Sequence, residues 1–96
     1  MTLKDVLVIY EIGAEHVETR LFFISVDEHE LAKIKKCHGK YLDGTGNSPE
    51  DESNLEWLDS EIIDGKFKDA RIKTNVIATL EKEDVPVTIV VTGHAL

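Results

Sequence analysis

The sequence predicts a single α+β domain with elements in the order ββααββ. About four antiparallel strands form one sheet, and two helices pack on one of its faces. Three observations carry this reading. Two β-branched and aromatic runs flank a glycine turn near the start of the chain. Two segments with helical apolar spacing and capping signatures follow. A second pair of β-branched runs closes the chain. Ninety-six residues suit one domain, and a 42% hydrophobic content is enough for a core.

The first strand is Val6–Ile12 and the second is Val17–Val26, joined through Gly13-Ala14-Glu15-His16 as a hairpin. Neither alternates cleanly between apolar and polar residues. Val6, Val8, Tyr10 and Ile12 fall on one face, and Leu7 and Ile9 fall on the other. Phe22 and Ile24 oppose Leu21 and Phe23 in the same way. A sheet with two apolar faces needs two covers.

Asp27-x-x-Glu30 reads as a capping box opening a helix over about Asp27 to His38, fraying towards Leu42. Its apolar stripe is Leu31, Ile34, His38 and Tyr41, and Gly39 is a cap or a tolerated interior glycine. Asp43–Asn47 is a loop, and residues 42–53 are the stretch expected to be mobile. Two helix starts then compete. Ser48-Pro49 offers an N-cap followed by proline, and Ser53-x-x-Glu56 offers a capping box. Leu55, Leu58 and Ile62 form the buried stripe, and Gly65 is expected as a left-handed cap. Ile72–Leu80 reads as a strand, Glu81–Asp84 as a turn and Val85–Thr92 as the last strand. Pro86 places the start of that strand at an edge or outside the pairing.

The charge is unevenly distributed. Between Lys40 and Lys66 lie eight acids and no Lys, Arg or His; elsewhere 11 acids balance 11 bases. The acids are Asp43, Glu50, Asp51, Glu52, Glu56, Asp59, Glu61 and Asp64. Such a block attracts basic surfaces and repels phosphate, so direct nucleic-acid and anionic-membrane binding are not expected. No apolar run reaches the roughly 20 residues that span a bilayer. The N-terminus lacks the pattern of a signal peptide, and the single cysteine, Cys37, rules out an internal disulfide framework. These features suit a cytoplasmic protein.

Motifs for chemistry fail on inspection. A calcium loop started at Asp43 would put Ser48 where the sharp turn needs glycine and Asn54 where it needs a bidentate Glu. Gly44-Thr45-Gly46 lacks the lysine of a phosphate loop, and the acids after it repel phosphate. Cys37, His38 and His29 do not make a tetrahedral zinc set. The sequence therefore predicts no metal, no cofactor and no catalytic residues. Glu11 reads as an outward residue, and His16 and His94 fall in a turn and a tail.

The acidic helix remains. Glu52, Glu56 and Asp59 group on a face adjoining the apolar stripe, spaced by roughly 4.5–6 Å along the axis. No lysine relieves their repulsion. Asp51, Glu61 and Asp64 flank them, and Trp57 offers an aromatic contact or a lid on the core beside Phe67. The expectation is a non-catalytic acidic protein that binds the basic surface of a partner protein, in its sharpest form an inhibitor that mimics nucleic acid. A solvated face serving solubility is the plain rival. A second expectation is a homodimer formed through Leu7, Ile9, Phe22 and Ile24. A third is an enzyme using a cation held by the acidic loop.

Overall fold

The computed structural model describes residues 3–13, 16–71 and 87–96. Its elements are β1 (Lys4–Ile12), β2 (Glu18–Val26), α1 (Glu28–Lys36), β3 (Tyr41–Leu42), α2 (Pro49–Ile63) and β4 (Thr88–His94). The protein is an α+β domain with a four-stranded mixed sheet in the order β2-β1-β4-β3. The β1–β2 hairpin is antiparallel, as expected, but β4 runs parallel to both β1 and β3. The expected antiparallel sheet and ββααββ order therefore give way to a mixed sheet with a short strand between the helices. The expected strand Ile72–Leu80 and the turn at Glu81–Asp84 lie outside the described residues.

The parallel pairing has a physical cause. β1 is apolar on both faces and sits inside the sheet, with β2 on one side and β4 on the other. β3 and β4 are joined through α2, and a connection of that length allows parallel strands where a tight hairpin would not. Ala70 and Arg71 run along the outer edge of β2. The Phe23 N–H donates to the Ala70 carbonyl at 3.0 Å, and Arg71 bridges Phe22.

One face of the sheet builds the core. Val6, Val8, Tyr10, Phe22, Ile24, Val26 and Val90 pack there against Ile34, Cys37, Leu55, Leu58, Ile62 and Phe67. The register places Val6 opposite Ile24 and Val8 opposite Phe22. Phe22 and Ile24 thus share the helix-covered face with Val6 and Val8, and are buried. They do not lie beside Leu7 and Ile9, as a dimer through those four residues would require. The second face carries Leu7, Ile9, Leu21, Phe23, Ile89 and Val91, of which Leu7 is buried and Ile89 is 50% exposed.

Both helices begin where capping chemistry puts them. Asp27 caps α1, accepting from the Glu30 N–H at 2.8 Å, and Glu30 returns the bond to the Asp27 N–H. Ser48 caps α2 reciprocally with Asp51, and Pro49 follows. The Ser48 start prevails over Ser53, so residues 49–53 of the expected loop form the first turn of α2. α1 stops at Lys36. The turn after it directs Cys37 inward, leaves His38 exposed and sets Gly39 at φ 76°. The core-facing stripe is therefore the half-buried Leu31 with the buried Ile34 and Cys37, without His38. Gly65 does not adopt the expected left-handed conformation. A Cβ there would approach the Glu61 Cα to 2.7 Å, so close packing explains this glycine.

Gly93 has a comparable role in the sheet. It lies between Glu11 on β1 and Tyr41 on β3, and a Cβ would meet the Glu11 carbonyl oxygen at 1.8 Å. Its bare backbone also leaves space on that face for Tyr41, whose hydroxyl donates to Glu11 Oε1 at 2.6 Å. We predict that Gly93→Ala destabilises the protein by about 3 kcal/mol or more, because the obstacle is backbone. Urea unfolding checks this; a loss under about 1 kcal/mol would show that the β1–β4 register is wrong.

Candidate functional site

The acidic block folds into the loop after β3 and the whole of α2. Leu55, Leu58 and Ile62 face the core, which sets the general direction of the carboxylates on the helix. One flank meets α1. Lys36 Nζ lies 3.3 Å from Glu50, and Lys40 Nζ lies 2.7 Å from Asp51. Lys33 Nζ sits 3.9 Å from the centre of the Trp57 ring. Trp57 meets Phe67 edge-to-face at 6.2 Å, packed against the core. Of its two expected roles, the structure shows the lid on the core. Lysines of α1 and of the turn after it thus offset part of the charge that the sequence leaves unrelieved.

The other flank faces the carboxyl ends of the parallel strands. The buried Tyr10 hydroxyl donates to Asp59 Oδ1. Burial, reinforced by the Asp59 carboxylate, holds the Tyr10 phenol well above its ordinary range. The His94 ring lies between two acids, with Nε2 2.8 Å from Asp43 Oδ2 and Nδ1 4.0 Å from Asp59 Oδ1. Asp43 adopts φ 61°, an uncommon conformation for a residue with a side chain. Glu52 accepts from the Asp43 N–H at 3.3 Å and from Asn47 Nδ2 at 3.1 Å. Glu52 and Asp59 are therefore bound into the fold. An open groove of about 670 Å³ runs past this end, lined by Lys40, Tyr41, Asp43, the Gly44–Asn47 loop and the last two residues.

Three of the seven expected contact residues remain without a side-chain partner among the described residues. Glu56 and Asp64 are exposed, and Glu61 is half-buried. The outermost line of α2 is Ser53, Glu56, Ser60 and Ile63, with Ile63 54% exposed. The continuous row Glu52–Glu56–Asp59 is thus divided, with only its middle member facing outward. Ile63 is the exposed apolar side chain of this face and is not among the seven expected contact residues. Its signal was available: Ile63 follows the buried stripe position Ile62 and points about 100° away from it.

The remaining chemistry-bearing groups are committed elsewhere. Cys37 is buried, and burial pushes its thiol up to about 11. Asp51 fills the N-terminus of α2, where an anion would otherwise bind. Among the described residues no cluster of three or more His, Cys, Asp or Glu could hold a metal ion, and no helix is long and apolar enough to cross a membrane. No family model matches the chain, and comparisons with curated proteins and with solved structures find no match.

Two predictions follow from these contacts. The Lys40 ammonium, assisted by Ser48, holds the Asp51 carboxyl below the ordinary Asp range. A depressed folded-state value means that the contribution of this pair is present at neutral pH and lost as pH falls through the Asp51 titration. Lys40→Met should therefore raise the Asp51 titration, followed by carboxyl NMR; an unchanged titration would remove the ion pair from the account. For Cys37, only roughly one thiol in ten thousand is ionised at pH 7 when titration lies near 11. A disulfide reagent should label it in denaturant and leave the native protein unmodified over the same interval. Equal rates would place Cys37 at an accessible, activated site.

Proposed function

We propose that this is a non-catalytic, cytoplasmic acidic protein that binds a basic surface on a partner protein through the outward side of α2. The supporting observation is the charge that remains after the internal pairs are formed. The chain carries a formal charge of −8, and no basic residue lies between positions 41 and 65. Glu56 and Asp64 project from that stretch beside the exposed Ile63, with Glu61 at the flank. An apolar side chain among carboxylates suits a basic partner surface with a hydrophobic centre. Displacement of nucleic acid from such a partner is the sharpest form of this reading. The reading requires no metal or cofactor.

The structure changes which residues should be tested. Reversing Glu52 or Asp59 would damage the fold, so their loss could not be interpreted. The triple variant Glu56→Lys, Glu61→Lys, Asp64→Lys should lose partner capture from native lysate at low salt while far-UV circular dichroism is unchanged. Capture by the wild type should fall steeply as salt rises. If the variant captures the same proteins as the wild type, the acidic face is not the contact surface.

The second reading, self-association, draws on Ile89, which is half exposed on the same sheet face as Ile9 and Phe23. A dimer whose sedimentation ignores salt and is abolished by Ile89→Lys would favour it.

A further inference from the structure

The outer edge of β4 is completed in an unusual way before β3 begins. β3 pairs with β4 only at Gly93 and His94. One pairing step earlier, at Val91, no strand is present, and the turn after α1 takes its place. The Gly39 N–H donates to the Val91 carbonyl at 2.8 Å. The Val91 N–H donates to the His38 Nδ1 at 3.0 Å. Backbone therefore satisfies one half of the Val91 edge, and an imidazole satisfies the other. The imidazole is exposed to solvent.

A ring nitrogen can accept a backbone N–H only while it carries no hydrogen of its own. The bond thus demands the tautomer with its hydrogen on Nε2. Protonation places a second N–H on Nδ1, facing the Val91 N–H, and the contact becomes donor against donor. Around His38, the turn and end of α1 contribute Lys35, Lys36, Cys37 and Lys40. α2 contributes Glu50 and Asp51, which are paired with Lys36 and Lys40. β4 contributes His94, whose ring faces Asp43 and Asp59. Among the described residues no carboxylate is hydrogen-bonded to the His38 ring.

We propose that His38 is a proton-operated latch on the edge of β4. Unprotonated, it holds the Val91 amide and closes the edge beyond the reach of β3. Protonated, it releases that amide, while the Gly39 bond to the Val91 carbonyl keeps the turn on the edge. The latch is independent of the acidic face of α2, so either can fail without the other.

NMR on the whole protein tests this between about pH 8 and about pH 5, the range in which histidine acts as a switch. At the upper pH, long-range nitrogen correlation should show His38 Nδ1 without a hydrogen. On acidification, exchange protection of the Val91 amide, corrected for intrinsic rate, should fall roughly five- to tenfold. Val90 is the reference, because its backbone groups point towards β1, away from this edge. His38→Asn places an amide oxygen where Nδ1 lies and cannot titrate, so Val91 should stay protected at both ends of the range. His38→Ala should leave it unprotected at both. If the variants do not fold, the wild-type titration alone decides. A hydrogen on Nδ1 at the upper pH, or Val91 protection that does not change with pH, would overturn the proposal.

Discussion

Burial of the Tyr10 hydroxyl governs how this molecule arranges its charge. Tyr10 sits in the middle of the sheet face that the helices cover, 1% exposed. A phenol O–H removed from water there needs an acceptor, and leaving it without one costs about 1–3 kcal/mol. Asp59 supplies the acceptor from α2, 49 positions along the chain. That contact adds directionality to the apolar stripe of Leu55, Leu58 and Ile62. Once Asp59 faces the strands, Glu52 shares its flank and meets the loop, Trp57 turns towards α1, and Glu56 and Ile63 point outward. The acidic helix is thereby divided into acids that hold the fold together and acids that remain on the surface.

The position of β4 is the second constraint. It enters between β1 and β3, so its backbone must satisfy both neighbours and its side chains must fit between theirs. Gly93 allows the close approach to Glu11, and Tyr41 reaches across it to the Glu11 carboxylate. Thr92 is buried and donates to the Lys40 carbonyl at 2.6 Å, satisfying its hydroxyl. His94 carries the strand end to Asp43 and Asp59. A strand in this position joins β1, α1, β3 and α2 at one end of the sheet. This explains why His38 and His94, far apart in sequence, both become structural partners.

Much of the local structure was legible in the sequence, because its causes are local. Asp27 and Glu30, Ser48 and Pro49, and the stripe Leu55–Leu58–Ile62 act within a few residues of one another. The sheet was less legible. The doubly apolar runs of β1 and of Val90-Val91 are the usual mark of strands buried between neighbours, and they are compatible with parallel pairing. The expectation of two hairpins pairs neighbouring runs in sequence and so gives an antiparallel sheet, whereas β4 pairs with β1 across most of the chain. The candidate surface was legible only in composition. A helical wheel places Glu52, Glu56 and Asp59 together, but it cannot show that Tyr10, Asn47 and the Asp43 amide claim two of the three. Those partners depend on the tertiary fold, as does the pairing of Lys36 and Lys40 with the start of α2. Ile63 was legible as an exposed apolar position, because it follows the buried Ile62 on the helix.

The functional account rests on this division of the acidic helix, and the division rests on the bond from Tyr10 to Asp59. A double-mutant cycle with Tyr10→Phe and Asp59→Asn tests that bond most directly, by equilibrium unfolding in urea at neutral pH. The structure predicts a coupling of about 1 kcal/mol or more between the two positions. Additive effects would contradict it: Asp59 would then be free to face outward, and the continuous carboxylate row read from the sequence would be the better description of α2.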